Sequence, residues 1–321
     1  MNNRPYLSLI TVARNDNYGG DFLHRFQVSL NTVLALCEEY RLDMELIIVD
    51  WNHPPGALTF VEVLAWPKKL KSVEIRIIEV PNKLHRKFPN SDKLTVFEFI
   101  GKNVGIRRAR GEYILTTNID DIFSRELVQF LAERKLSQEC FYRTDTYRVK
   151  KTIPLDIAVD EQLELCGEHW YQVDMTKGPR RRRYPLLSYE YLRSSAAWLG
   201  GKLIHHPRHG IHTLASGDFF LMHHKHWYNL HGHPELPTYS HIDSYMCYMA
   251  ASYGLSQIIL SGGKRIYHQE HTRLKPGSLP TTDFGLCLKH GKQMLKSGRP
   301  MVFNDEKWGL AEENLTEINP L

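Results

Sequence analysis

Residues Gly111–Phe123 read GEYILTTNIDDIF. An apolar run, Tyr113 to Leu115, gives way at once to Thr116, Thr117, Asn118, Asp120 and Asp121. Carboxylates placed directly after a buried strand must be solvated, paired or bound to a cation, because an isolated buried charge is too costly. The stretch therefore predicts a strand whose far end is chemically occupied.

The same pattern recurs upstream. Tyr6 to Ala13 is a β-type run ending in the polar turn RNDNYGG, and FLHRFQVSLNTVLALCEEY follows with Phe26, Leu30, Val33, Leu34 and Cys37 at helical spacing. MELIIVD, Met44 to Asp50, predicts a second strand that ends in the turn WNHPPG. ALTFVEVLAW reads as a short helix and VEIRIIEV as a third strand. TVFEFIGKNVGIRRARG reads as a helix stopping at Gly111, since glycine commonly terminates helices. YILTTNIDD is the fourth strand, and SRELVQFLAERK is the next helix with Ser124 as its N-cap. Strand and helix in alternation predict a parallel sheet flanked by helices. Ligands of such sheets bind at the carboxyl ends of the strands. The polar ends RND, DWN and NIDD would then share one edge.

The second half is less regular. ASGDFFLMHHKHWYNLHGHPELP precedes the helix-like HIDSYMCYMAASYG, LSQIIL and RIYH read as short strands, and a helix is expected near LCLKHGKQMLKSG. The boundaries are set at 1–125 for one half of a single α/β domain, 126–275 for the other, and 276–321 for a partly helical tail. The chain has 321 residues, 42% hydrophobic and 24% charged, an ordinary globular composition. The run LSLITVA is far shorter than the roughly 20 apolar residues of a membrane span and lacks the cleavage pattern of a signal peptide. Cys37, Cys140, Cys166, Cys247 and Cys287 are scattered and odd in number, which suggests reduced thiols in a cytoplasmic protein. The formal charge of +5 is mild. Much of it sits in Arg180 to Arg183, a run suited to phosphate, RNA or an anionic membrane but read as a solvated loop. A broad basic face with interleaved aromatics is lacking, so no nucleic-acid partner is expected.

Taken together, ITVARND, IIVDWN, KNVGIRRARGEYI and TTNIDD resemble the GT-A glycosyltransferases of the family 2 type, which move a sugar from a nucleotide donor to an acceptor. In that superfamily a segment N-x-G-x-x-x-A-x-G-(E/D) runs into an acidic D-x-D motif. Asn103, Gly105, Ala109, Gly111 and Glu112 reproduce the first part, and Asn118 stands where the first aspartate usually is, with Asp120 at the second. The resemblance covers about residues 6 to 130 and, more weakly, 215 to 275.

What the resemblance implies is a GT-A fold: a Rossmann-like, mostly parallel sheet flanked by helices, with a mixed acceptor-binding half. The donor, a UDP-sugar by default, would lie against Ala13, Arg14, Asn15 and Asp50 at its base, with Asn103, Arg107, Asn118 and Asp120 completing the donor contacts. Asp120 would hold Mn²⁺ or Mg²⁺, hard cations that favour oxygen ligands. His268 or His271, in YHQEH, would add a metal or diphosphate contact. Asp243, counted back from Gly254, falls at the position of the general base, and Asp218 in SGDFF at the sugar. Each residue also has a plain reading: an N-cap for NIDD, a turn aspartate for Asp50, a solvated face for Arg107, Arg108 and Arg110, a helix start for Asp243. Trp227, Tyr228 and Tyr239 suit a sugar-stacking platform or the core. Ten of the seventeen histidines fall between His205 and His241, but without zinc-site spacing. The acceptor would be a saccharide or a lipid-linked glycan, the latter bringing a cytoplasmic enzyme into peripheral contact with the inner membrane face. A catalytically silent nucleotide- or sugar-binding module and a sugar nucleotidyltransferase are the alternatives. Inversion is expected with Asp243 as the base, and without that base a retaining mechanism is open.

Overall fold

The opening apolar run forms β1 (Leu7–Ala13), followed by α1 (Phe22–Tyr40), β2 (Met44–Trp51), α2 (Phe60–Val63), β3 (Val73–Val80), α3 (Asn82–His85), α4 (Glu98–Arg108), β4 (Tyr113–Thr117) and β5 (Asp121–Phe123). A computed structural model describes residues 4–175, 178–181, 210–272 and 279–321, so Arg182 and Arg183 of the basic run lie outside the described residues. The chain continues with α5 (Arg125–Ala132), β6 (Cys140–Val149), α6 (Val159–His169), β7 (Trp170–Met175), β8 (Gly178–Arg181), β9 (Phe219–His223), α7 (His224–Asn229), α8 (Ile242–Ser252), β10 (Ser256–Gln269), α9 (Phe284–Ser297) and β11 (Thr316–Ile318).

One sheet runs β11-β3-β2-β1-β4-β9-β6-β10-β5, with β7 and β8 extending from β6. β3, β2, β1 and β4 are parallel, as their alternation with helices requires. β9 joins β4 and β6 antiparallel, and β10 lies parallel to β6 and antiparallel to β5. Successive residues of the parallel strands face opposite layers. Leu46 and Ile48 pack with Phe26 and Leu30 of α1, while Ile47 and Val49 pack with Ile100 and Val104 of α4. That is why these strands are almost continuously apolar.

The glycines of KNVGIRRARG act by closeness. A Cβ on Gly105 would stand 2.5 Å from Ile10 Cγ2, so the glycine lets α4 press onto β1. A Cβ on Gly111 would stand 2.5 Å from the Ser8 backbone nitrogen. Gly111 is therefore a packing residue and not the helix terminator expected: α4 stops at Arg108, where Ala109 turns extended. The run expected as one strand, YILTTNIDD, breaks after Thr117, because the Asp121 carboxylate accepts from Thr117 Oγ1 and the Asn118 N–H, each at 3.2 Å, and folds the chain into a turn. Conversely LSQIIL and RIYH are one strand, β10, with a register shift between Leu260 and Arg265 around Gly262 and Gly263. ALTFVEVLAW is helical only over Phe60–Val63, held by a capping box of Thr59 and Glu62 and ended by extended Leu64. Ser124 caps α5 as expected, accepting from the Leu127 N–H. The tail returns to the sheet: β11 pairs with β3, and Arg76 grips Glu317 through Nε (3.1 Å) and Nη2 (2.8 Å). All five cysteines are free thiols. Among the described residues no helix is long and apolar enough to cross a membrane.

Candidate active site

Because β1, β2 and β4 run parallel and adjacent, their carboxyl ends meet at one edge, and Ala13 sits directly beside Asp50. The ends of β6 and β10 and the start of β5 complete this edge. The sheet thus gathers Asp50, Asn118, Asp120, Asp121, His268 and His271 from segments far apart in the chain.

Asp120 is the centre of the cluster. Its Oδ2 lies 3.4 Å from Arg25 Nε and 3.4 Å from His271 Nε2, and its Oδ1 lies 3.6 Å from His268 Nδ1. His268 Nδ1 also reaches Asp121 Oδ1 at 2.9 Å. Burial alone would lower the His268 imidazole, which is only 4% exposed, but Asp120, Asp121 and Asp218 around it hold its proton up to about 9. Burial and the neighbouring Asp218 push Asp121 up against the pull of His268. Burial also lowers His271, with Asp120 opposing. His271 stands edge-on to Tyr18 at 5.2 Å and leaves no room for a side chain at Gly19.

Among the described residues two trios bring their ligand atoms within 4.8 Å of one another: Asp120, His268 and His271, and Asp121, Asp218 and His268. Among the described residues, neither buried atom, His268 Nε2 or Asp218 Oδ2, has a hydrogen-bond partner. A buried polar atom without a partner calls for an explanation, of which a bound ion or water is one. A carboxylate with two imidazoles, backed by a further acid, could hold a divalent cation, and the bond from His268 Nδ1 to Asp121 would then be the outer contact that orients the histidine.

Asp50, 2% exposed, ends β2. Its Oδ2 pairs with His53 Nδ1 at 2.9 Å, while the buried Oδ1 has no partner among the described residues. His53 Nε2 reaches the Ala57 carbonyl at 3.0 Å. Both ring nitrogens face acceptors, so a charged His53 can donate from each. Burial pushes the Asp50 carboxyl up to about 6, with His53 opposing. Burial lowers His53, yet the Ala57 carbonyl and Asp50 leave it raised. Arg14 donates to the Asn52 carbonyl at 2.7 Å and pairs with Asp16, and Asn15 donates to the Leu58 carbonyl at 2.9 Å, so both tie the β1 and β2 loops together.

Asp243 enters from the first turn of α8. Its Oδ2 accepts from Ser216 Oγ at 2.8 Å and from the Gly217 N–H at 2.9 Å. It does not cap its own helix, whose N-cap is His241. Asp218 lies one residue beyond Gly217, with Oδ1 accepting from Asn118 Nδ2 at 2.9 Å. Beyond His271 and Arg25 opens a cavity of about 430 Å³, lined also by Gly19, Gly20, Lys150 and Lys151.

Two expected donor residues are not brought to this edge. Asn103 is fully buried, its amide holding the backbone of His233 and the Glu235 carboxylate. Arg107 lies in the last turn of α4, at the starting edge of the sheet, with its guanidinium 4.8 Å over Trp308. That is one strand, roughly 15 Å, from Asp120. Arg108 and Arg110 are likewise engaged there, with the Gly309 carbonyl and Glu45. Trp227 is core, donating to the Ile114 carbonyl, Tyr228 packs on Trp308, and Tyr239 is exposed.

Sequence reasoning named neither Arg25 nor Lys102. Arg25, 6% exposed, reaches Asp120 and is anchored to the carbonyls of Tyr18 (2.9 Å) and Gly20. The available signal was a cation between Phe22 and Phe26 on the apolar face of a helix. Lys102 is fully buried behind Asn118.

No family model matches the chain, and no curated protein matches it. Among solved structures it is similar to S. aureus TarS 1-349, with 15% identity and a TM-score of 0.44 over 82% of this chain and 60% of that one. It is also similar to GalNAc-T7 with UDP, GalNAc and Mn²⁺, at 9% identity and a TM-score of 0.47 over 84% of this chain and 44% of that one. A third is the mannosyltransferase PcManGT from Pyrobaculum calidifontis with GDP-Man and Mn²⁺, at 14% identity and a TM-score of 0.41 over 86% and 59%. The chain thus spans 60% or less of the length of each of these matches.

Proposed function

We propose that the protein is a glycosyltransferase of the GT-A type, taking a sugar from a nucleoside diphosphate donor, UDP-linked by default, to a saccharide or lipid-linked glycan. The observation that carries this is the convergence of Asp120, His268 and His271 at the sheet edge that also presents the unpartnered Oδ1 of Asp50. A carboxylate acceptor at the end of β2 suits the N–H of a pyrimidine base. A cation-ready trio two strand positions along, with β1 between, suits the diphosphate, and Arg25, Lys150 and Lys151 around the adjoining cavity, which Asp21 and Glu270 also line, add positive charge for it.

In this reading Asp120, His268 and His271 hold a divalent cation, Mn²⁺ being favoured by the two imidazoles. When bound, it supplies Lewis-acid stabilisation of the negative charge on the leaving diphosphate. The remaining chemistry belongs to the chain. Asp243, fixed by Ser216 and Gly217, accepts the proton of the acceptor hydroxyl as that oxygen bonds to the anomeric carbon. The bond from that carbon to the diphosphate oxygen breaks, inverting the configuration. A lipid-linked acceptor would bring the enzyme to the inner face of the membrane.

The test is a thermal-shift series with UDP, GDP and dTDP, each with and without Mn²⁺, because a ligand selective for the folded state raises the melting temperature. A shift that needs both nucleotide and Mn²⁺ and vanishes in Asp120→Ala is expected, together with donor-dependent release of nucleoside diphosphate. Binding without turnover across donors and acceptors would make the protein a silent nucleotide-sugar-binding module. No binding of any nucleoside diphosphate would refute the reading.

A further inference from the structure

Lys102 sits in the middle of α4 with no solvent exposure. An ammonium so placed must have all three donors used. They are: Nζ donates to Glu98 Oε1 at 2.6 Å, to Asn118 Oδ1 at 2.9 Å and to the Gly217 carbonyl at 2.8 Å. Two of these acceptors lead to the carboxylates of the candidate site. Asn118 passes the contact on, since its Nδ2 donates to Asp218 Oδ1 at 2.9 Å. Gly217 does likewise, since its N–H donates to Asp243 Oδ2 at 2.9 Å.

This arrangement dictates the residue at position 118. The side chain there must accept from an ammonium on one side and donate to a carboxylate on the other. An asparagine amide does both, whereas an aspartate would set two carboxylates against each other at hydrogen-bond distance. Asp218, held by one oxygen, presents its other, Oδ2, buried beside Asp121 and His268 and without a partner among the described residues.

We propose that Lys102 and Asn118 form a positioning relay that delivers Asp218 to the cation cluster, so that the carboxylate missing from position 118 is supplied from position 218, and that Lys102 fixes Asp243 relative to it through Gly217. The inference rests on the functional reading above and deepens it. It makes Lys102 and Asn118 positioning residues and gives Asp218 Oδ2 to the cation or the diphosphate it neutralises.

The test transposes the charge. Asn118→Asp, Asp218→Asn, the double variant and Asn118→Ala are compared by ligand-free melting temperature and by Mn²⁺-dependent UDP affinity. Outer-sphere partners of a metal centre are typically worth about 10–100-fold in affinity. Asn118→Asp and Asp218→Asn should each lower affinity in that range, and Asn118→Asp should also lower the melting temperature. The double variant restores one amide, one carboxylate and the Lys102 contact. It should regain the melting temperature but not the affinity, because the free oxygen at position 218 is no longer a carboxylate. A purely structural relay would restore both. Additive ligand-free effects in the cycle overturn the relay, and Asp218→Asn binding UDP and Mn²⁺ like the parent overturns the role of Asp218. Should the charged variants fail to fold, Asn118→Ala, which adds no charge, must still show the loss of affinity. If the parent itself shows no Mn²⁺-dependent binding, the functional reading fails instead, and the ligand-free cycle alone judges the relay.

Discussion

Replacing Asp50 with asparagine should make the protein more stable at neutral pH and worse at holding a nucleotide. The carboxyl is 2% exposed, and burial raises it from an ordinary 3.8 to about 6. Roughly two units at about 1.4 kcal/mol per unit give about 3 kcal/mol of destabilisation once the group is ionised in the fold. The sign follows from proton counting. Between 3.8 and about 6 the folded state holds the proton and the unfolded state does not. Stability from this group is complete below 3.8 and is lost as pH rises through about 6. Asparagine never ionises, and its Oδ1 can still accept from His53 Nδ1, though without the charge. Allowing about 1 kcal/mol for that weakened bond leaves a net gain of about 2 kcal/mol above pH 7. For a chain of this size that is roughly 3 °C in melting temperature. The assay is thermal unfolding of both proteins from pH 4 to 8, with and without UDP. The curves should coincide near pH 4 and separate through pH 6, with the UDP-dependent shift smaller in the variant throughout. A difference in melting temperature that is constant with pH would refute the reasoning, since it would mean that the Asp50 carboxyl ionises as it does in the unfolded chain.

Three other substitutions probe the site and the scaffold beneath it. Gly19→Ala adds a Cβ 2.6 Å from His271 Nδ1 at a residue with φ of +74°, so it should displace His271 and weaken Mn²⁺-dependent UDP binding about tenfold, measured by titration calorimetry. Gly111→Ala drives a methyl to 2.5 Å from the Ser8 nitrogen and should cost about 1–3 kcal/mol in urea unfolding, leaving nucleotide affinity unchanged because the clash lies at the starting edge of the sheet. Ser124→Ala removes the cap of α5 and the 2.9 Å bond to the Gly263 carbonyl, and should cost about 1–2 kcal/mol by the same assay.

The parallel half of the fold was legible because buried parallel strands are continuous apolar runs and the helices between them keep a 3.6-residue period. Both are local patterns. The strand-end clusters were legible for the same reason: a polar group that abruptly ends an apolar run has few places to go. Gly111 looks like a helix stop by residue type, and only the approach of Ser8, 103 positions away, makes it a packing residue. Arg107 looked like a phosphate ligand because it precedes the acidic strand in the chain. Helix and strand run in opposite directions, so it ends at the wrong edge. The turn at Asn118–Asp120, the fusion of LSQIIL with RIYH and the pairing of the tail with β3 all depend on partners distant in sequence.

By itself the sequence determined the parallel layer and the edge at which polar residues collect, because each is set by periodicities within one segment. Which of those residues meet was decided by tertiary structure alone. His268 faces Asp120 from 148 residues later in the chain, and Arg25 and Lys102 reach the acidic turn from two different helices. A buried charge is stabilised by whatever the fold places within a few ångströms of it, and distance along the chain carries no record of that.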